Sequence, residues 1–165
     1  MTKSKIKATI TKGYDALTPV CNFNTIAGNE REKRSLDDDS ITLQMMLIEE
    51  EFQETLDAMS DENLEEVLDG AADLIVVAAG LIHKLGYNPN DIMKIVNESN
   101  LSKFCDSEEE ADKSVAHYQK SSRYSNVYWE KVGNKYVVFG WLTGANKAKI
   151  LKSVNYKEAD FSHIV

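Results

Sequence analysis

The chain has 165 residues, room for one domain with a real core and short for two. Apolar residues make up 42% and charged residues 28%, with only 2 Pro and 8 Gly, so long helices are permitted. The formal net charge of -8 argues against a nucleic-acid backbone or an anionic membrane as the main partner, unless charge is locally segregated.

Cys21 and Cys105 form no CxxC pair and are too few for a disulfide scaffold, so both are expected to be reduced. The N-terminal MTKSKIKATITKG is basic but lacks the apolar core of a signal peptide. The longest apolar run, LIVVAAGLI at 74–82, is about half the length that spans a bilayer. These features predict a soluble, cytoplasmic protein.

Residues 13–27 have a loosely helical apolar pattern interrupted by Pro19, and 28–39 read as a polar loop. Residues 40–59 predict an amphipathic helix whose core face is Ile41, Met45, Ile48, Phe52, Leu56 and Met59. Ser60 and Asp61 are the expected cap of the next helix, which runs to about Leu85. Its second half is apolar nearly all round, so burial on most sides is expected. Asn88-Pro89 restarts a helix carrying Ile92, Ile95, Val96, Asn100 and Lys103. Ser107 and Glu110 have capping-box spacing and open a short helix to about Gln119. VYWEKV and KYVVFGWL, with Gly133-Asn134 between them, signal a β-hairpin, and AKILKSV can add a third strand. The expected architecture is one domain: a helical body over 13–120 and a β-rich extension over 121–165.

Carboxylates crowd two successive helices. The first carries Glu49, Glu50, Glu51 and Glu54; the second carries Glu65, Glu66, Asp69 and Asp73. At about 100° per residue, Leu47, Glu51, Glu54 and Ala58 share a stripe flanking the apolar face, where a neighbouring helix can meet them. On the second helix Glu62, Glu66, Asp69, Asp73, Val77 and Gly80 share a stripe. Asp73 leads straight into the apolar run, where an uncompensated carboxylate costs several kcal/mol. Asp69 sits one turn before it, and like charges at that spacing repel. A Lys or a helix end could compensate Asp73, but few basic residues lie nearby in sequence. A divalent cation resolves both problems. All-oxygen ligation suits magnesium, manganese or calcium. His83, His117 and His163 are scattered and form no Glu-x-x-His pair, which disfavours a di-iron bundle. A solvated acidic face is the plainer reading of Glu49, Glu50 and Glu65.

These blocks, in this order, resemble the all-α nucleoside triphosphate pyrophosphatase superfamily, which includes MazG-type enzymes, dimeric dUTPases and phosphoribosyl-ATP pyrophosphohydrolases. The family's EExxE matches Glu50-Glu51-Phe52-Gln53-Glu54. Its ExxD aspartate matches Asp73 within LDGAADLIVVAAG. Its Asn-Lys segment matches VNESNLSKF, with Asn97, Asn100 and Lys103. The resemblance covers roughly 14–120 and looks closest to phosphoribosyl-ATP-pyrophosphohydrolase-like proteins encoded by phages, which would place the chain in a host cytoplasm. One departure stands out: Gly70 occupies the position where many members have Glu, so the acid would come from Asp69 or Glu66.

The resemblance implies a mainly α antiparallel helical bundle with a small C-terminal hairpin or three-stranded appendage. It also implies a magnesium-dependent enzyme, with manganese as a substitute, that cleaves a nucleoside triphosphate or related polyphosphate to monophosphate and pyrophosphate. Glu50, Glu51, Glu54, Asp69 and Asp73 would hold the metal, and Glu51 or Glu54 would serve the attacking water. Asn97, Asn100 and Lys103 would bind substrate, the plainer alternatives being a helix-end cation for Lys103 and a helix-end cap for Asn100; Tyr14, Phe23 and Asn24 are either contacts with the base or packing and capping residues. A homodimer or homotetramer is implied, with no membrane or nucleic-acid partner. Two other readings are a metal-dependent nucleotide binder weakened by Gly70, and an acidic DNA-mimic-type interaction protein built on exposed Glu49, Glu50 and Asp57.

Overall fold

The computed structural model describes residues 15–144 and 148–165, so the basic N-terminal segment and Tyr14 lie outside the described residues. Among the described residues the protein is mainly helical, with five helices followed by a three-stranded antiparallel sheet. It divides into two compact units, with the division inside the fourth helix at residues 94 and 95.

The N-terminal unit holds α1 (Leu17–Ile26), α2 (Asp39–Ser60), α3 (Leu64–Lys84) and the start of α4 (Pro89–Leu101). Asp15 caps the first turn of α1, accepting from the N–H groups of Leu17 and Thr18 at 3.2 and 3.1 Å. Pro19 falls inside that turn, where its missing N–H breaks no bond. Asp38 caps α2, accepting from the Ser40 N–H at 2.8 Å. The expected cap of α3 by Ser60 or Asp61 is corrected: Asn63 takes that place, accepting from the Glu66 N–H, while Asp61 closes α2. Glu62 sits between the helices at φ 55°, so the acidic stripe of α3 begins at Glu66.

α2 packs against α3, and α1 against α3. The face of α2 that meets α3 differs from the apolar stripe read as its core. Its buried residues are Ile41, Gln44 and Ala58, whereas Met45, Phe52, Leu56 and Met59 are exposed. Small residues explain the switch. A Cβ on Gly70 would lie 2.4 Å from Thr55 Oγ1, and one on Gly80 would lie 2.9 Å from Gln44 Nε2. Backbones that close leave no room for Met or Phe between them. Gln44 Nε2 donates to the Val77 carbonyl at 2.9 Å, which satisfies a buried amide and locks the register. The expected burial of LIVVAAGLI on most sides is likewise corrected. Ala79 and Gly80 are buried, but Ile75 is 58% exposed and Ala78 is exposed too.

The polar loop after α1 is strapped to the end of α3. Arg34 Nη1 donates to the Lys84 carbonyl at 2.8 Å, and His83 Nε2 lies 2.8 Å from the Asn29 carbonyl oxygen. Gly86 closes the strap at φ 90°, where a Cβ would meet Lys33 N at 2.7 Å.

The C-terminal unit holds the end of α4, α5 (Glu108–Gln119), β1 (Tyr124–Val132), β2 (Lys135–Leu142) and β3 (Ala148–Leu151). Ser107 caps α5, accepting from the Glu110 N–H at 3.2 Å, and Glu110 reaches back to the Asp106 N–H at 3.0 Å. Gly133, at φ 63°, takes the first position of the two-residue hairpin turn. The strands run in the order β1-β2-β3, with a register slip between Ser125 and Tyr128. α5 covers β1 and β2. Their core is Cys105, Ala111, Val127, Val138 and Leu151, flanked by Val115, Tyr118, Tyr124, Trp129 and Tyr136. Cys21 and Cys105 are both free thiols. No helix of the described residues is long and apolar enough to cross a membrane.

Candidate active site

The α2–α3 crossing is built on three levels. Gln44 meets Val77 and Gly80 at one end, and Thr55 meets Gly70 at the other. Glu51 lies one turn before Thr55, and Asp73 one turn after Gly70. The antiparallel register therefore brings these two carboxylates to the same level, between the two close approaches.

Their electrostatics agree with this placement. Burial pushes the Glu51 carboxyl above its ordinary value, and the negative charges of Asp73, Glu54, Glu50 and Asp69 push it the same way. Glu51 thus feels all four of the other carboxylates singled out as metal ligands. Glu51 and Asp73 are half-buried; Glu50, Glu54 and Asp69 are exposed. No Lys or Arg among the described residues forms an ion pair with any of the five. Among the described residues, no three carboxylate, imidazole or thiol side chains are gathered closely enough to hold a metal ion as they stand.

Gly70 has a structural cause. The space its Cβ would need is taken by Thr55, whose Oγ1 donates to the Glu51 carbonyl at 2.8 Å. At this helix spacing a side chain at position 70 would have to displace the Thr55 hydroxyl. Asp69 and Glu66, both before Gly70 in α3, are exposed.

The remaining candidates are distributed as follows. Asn24 is buried; its Nδ2 donates to the Val20 carbonyl at 3.0 Å and would lie 3.6 Å from a Cβ at Gly80. Phe23, its neighbour, is 65% exposed. Asn97, Asn100 and Lys103 belong to the C-terminal unit. Lys103 stands just past the end of α4, and its Nζ donates to Asn100 Oδ1 at 2.6 Å. Asn97, Asn100 and Lys103 line one groove together with Tyr118, Tyr124, Lys149 and Lys152. The two tyrosines and the two tail lysines were not foreseen. Their one sequence signal is the Lys149-Lys152 pair flanking Ile150 and Leu151, which is too common a pattern to interpret alone. Gln44 and Thr55 were also missed, because neither carries catalytic chemistry; both act by setting the helix spacing.

Residues 27–100 match a family model described as phosphoribosyl-ATP pyrophosphohydrolase. A protein of Acanthamoeba polyphaga mimivirus, itself uncharacterised, is 28% identical over 112 residues, which are 66% of this chain and 43% of that protein. The match spans less than half the length of this viral relative. The matched residues, less than half of the chain, contain both helices of the carboxylate crossing, and through them the chain is similar to phosphoribosyl-ATP pyrophosphohydrolases.

Proposed function

We propose that this protein is a magnesium-dependent nucleotide pyrophosphohydrolase that cleaves a nucleoside triphosphate, or a related polyphosphate, to the monophosphate and pyrophosphate. The observation that carries the reading is the half-buried Glu51, raised in pKa among four other carboxylates, inside the stretch that matches the family.

The donor set fits a hard divalent cation. It is all oxygen, it has no cationic partner among the described residues, and its mutual repulsion is what a divalent ion relieves. Glu50, Glu51, Glu54, Asp69 and Asp73 would hold magnesium or manganese, the exposed side chains turning inward to do so. Magnesium bound there supplies charge neutralisation for the phosphate oxygens. Glu51 or Glu54 would take the proton of the attacking water, and general-base help of this kind contributes about 10²–10⁴-fold. Asn97, Asn100 and Lys103 bind the substrate, with Lys103 as a point charge for phosphate.

We also propose a homodimer or homotetramer. The support is apolar surface that the chain leaves open on α2 and α3: Leu43, Met46, Phe52, Leu68 and Ile75 are exposed. The proposed setting is the cytoplasm.

The test is a pyrophosphate-release screen over canonical, deoxy and modified nucleoside triphosphates and guanosine polyphosphates, with magnesium and with manganese. Release from one of them, lost in Asp73→Asn, supports the reading. Tight magnesium-dependent binding without release would mark a binder instead. Full activity in Asp73→Asn would sink the proposed site.

A further inference from the structure

α2 and α3 are pinned together at two levels by different chemistry. At one level the Gln44 amide donates to the Val77 carbonyl at 2.9 Å, a direct bond between the helices. At the other level the contact is steric. The Thr55 hydroxyl donates to the Glu51 carbonyl at 2.8 Å, one turn back on its own helix, and its oxygen stands against the bare backbone of Gly70. Among the described residues, no hydrogen bond joins the Thr55 side chain to α3. Glu51 and Asp73 lie between the two levels, Glu51 being seven of the eleven residues along from Gln44 to Thr55. Glu54 directly precedes Thr55, and Asp69 directly precedes Gly70. The separation of the helices at Thr55 therefore sets the span open to a cation held by carboxylates of both.

The sizes involved match those that separate one hard cation from another. Magnesium takes oxygens at about 2.0–2.1 Å in near-ideal octahedral geometry, whereas calcium takes them at about 2.3–2.6 Å and accepts irregular arrangements. With ligands on opposite sides of the ion, the two differ in span by roughly 0.5–1 Å. A Cβ on Gly70 would lie 2.4 Å from Thr55 Oγ1. Seating it at ordinary contact distance by parting the helices takes about 1 Å at that level. With the Gln44 level held, the even rise of a helix passes roughly 0.6 Å of this to Glu51. One methyl group at this contact is thus enough to change which ion the span suits.

We propose that Thr55 is a positioning residue which, set against Gly70, gauges the carboxylate site for a small cation, magnesium over calcium. This role rests on the reading of the carboxylates as a metal site and adds what selects the ion. Thr55 touches neither the ion nor the substrate. It acts through the Glu51 backbone, which it bonds, and through α3, which it holds at a fixed distance. Selectivity between these two ions is a matter of cavity size and ligand flexibility, and the contact controls both.

The test uses the full chain and reads cation binding alone, with no nucleotide and no turnover. Magnesium and calcium are titrated by calorimetry into the parent, Gly70→Ala, Thr55→Ala, the double variant and Thr55→Ser. The parent is expected to bind magnesium more tightly than calcium. Gly70→Ala widens the span and should lower the magnesium-to-calcium affinity ratio by about tenfold, in keeping with a modest overpacking. Thr55→Ala unpins the crossing and should lower the ratio by about fivefold, because calcium tolerates a loose site. In the double variant the methyl group on α3 fills the place of the lost hydroxyl with contacts of 3.3 and 3.4 Å. Its ratio should return to within about twofold of the parent's, and Thr55→Ser, which keeps the hydroxyl, should match the parent. A change that only weakened the fold would lower both affinities together and leave the ratio where it was. Should Gly70→Ala melt before it can be titrated, Thr55→Ala against the double variant carries the test. A parent that prefers calcium, an unchanged ratio in the single variants, or a double variant no closer to the parent than they are overturns the gauge and leaves the metal site standing. If the parent binds neither ion, the metal reading falls and the gauge with it. Magnesium binding without hydrolysis counts against the hydrolase reading alone.

Discussion

Replacing Gly70 with Ala probes the spacing on which the carboxylate crossing depends. On helix propensity alone the change should stabilise α3 by about 0.8–1 kcal/mol. The structure predicts the opposite sign. The new methyl would lie 2.4 Å from Thr55 Oγ1 and 3.4 Å from the Thr55 Cα. Thr55 can move its hydroxyl only by giving up the bond to the Glu51 carbonyl. Overpacking of this kind costs about 1–3 kcal/mol, so the net expected is a loss of about 1 kcal/mol. For a chain of this size that is a fall of roughly 2–4 °C in melting temperature. Thr55→Ala removes the closest atom and leaves contacts of 3.3 and 3.4 Å. In that background Gly70→Ala should be neutral or stabilising, giving a coupling of about 1–2 kcal/mol in a double-mutant cycle. The assay is thermal and urea unfolding of all four proteins without metal, at one fixed protein concentration. Additive effects, or a stabilising Gly70→Ala in the parent, would refute the close approach and with it the register that pairs Glu51 with Asp73.

Three further outcomes are expected. Asp73→Asn removes a like charge beside Glu51, so the metal-free protein should melt no lower than the parent at pH 7, while the rise in melting temperature on adding magnesium should disappear; a rise of parental size would contradict the ligand assignment. The Ser40 hydroxyl and N–H hold the Asp38 carboxyl below its ordinary value. A depressed carboxylate contributes stability above its unfolded pKa and loses it as pH falls through the folded value, so the melting deficit of Asp38→Ala should be full at pH 7 and close below the ordinary carboxylate range of about pH 4. Burial, and then the Arg34 charge, pull the Lys84 ammonium below its ordinary value. Its charged form opposes folding at pH 7, and stability returns as pH rises from the folded value towards about 10.4, so Lys84→Met should melt higher than the parent at pH 7, by a margin that shrinks as pH rises through that window.

How much of this could be read from the residues varies by element. That α2 and α3 are long helices follows from periodicity, because apolar residues recur at helical spacing along most of each. The hairpin is announced by β-branched and aromatic runs around Gly133-Asn134. The cap of α3 was misplaced by two residues, since Ser60, Asp61 and Asn63 all have capping chemistry and only the backbone path selects one. The packing face of α2 was misassigned for a deeper reason. An amphipathic pattern marks a face that avoids water but does not name the surface that covers it. Within this chain, Gln44, Thr55 and Ala58 meet α3, while Met45, Phe52 and Met59 stay open.

The sequence by itself determined the mainly α class, the C-terminal sheet, the carboxylate inventory and the candidate Asn-Lys segment, because these depend on local periodicity and residue chemistry. Only the tertiary structure decided that Asp73 lies near enough to raise the Glu51 pKa, that a side chain at Gly70 would press on Thr55, and that Lys149 and Lys152 line a groove with Lys103. Each of those depends on how closely two backbones approach, and that distance is set by small or hydrogen-bonding side chains far apart in sequence.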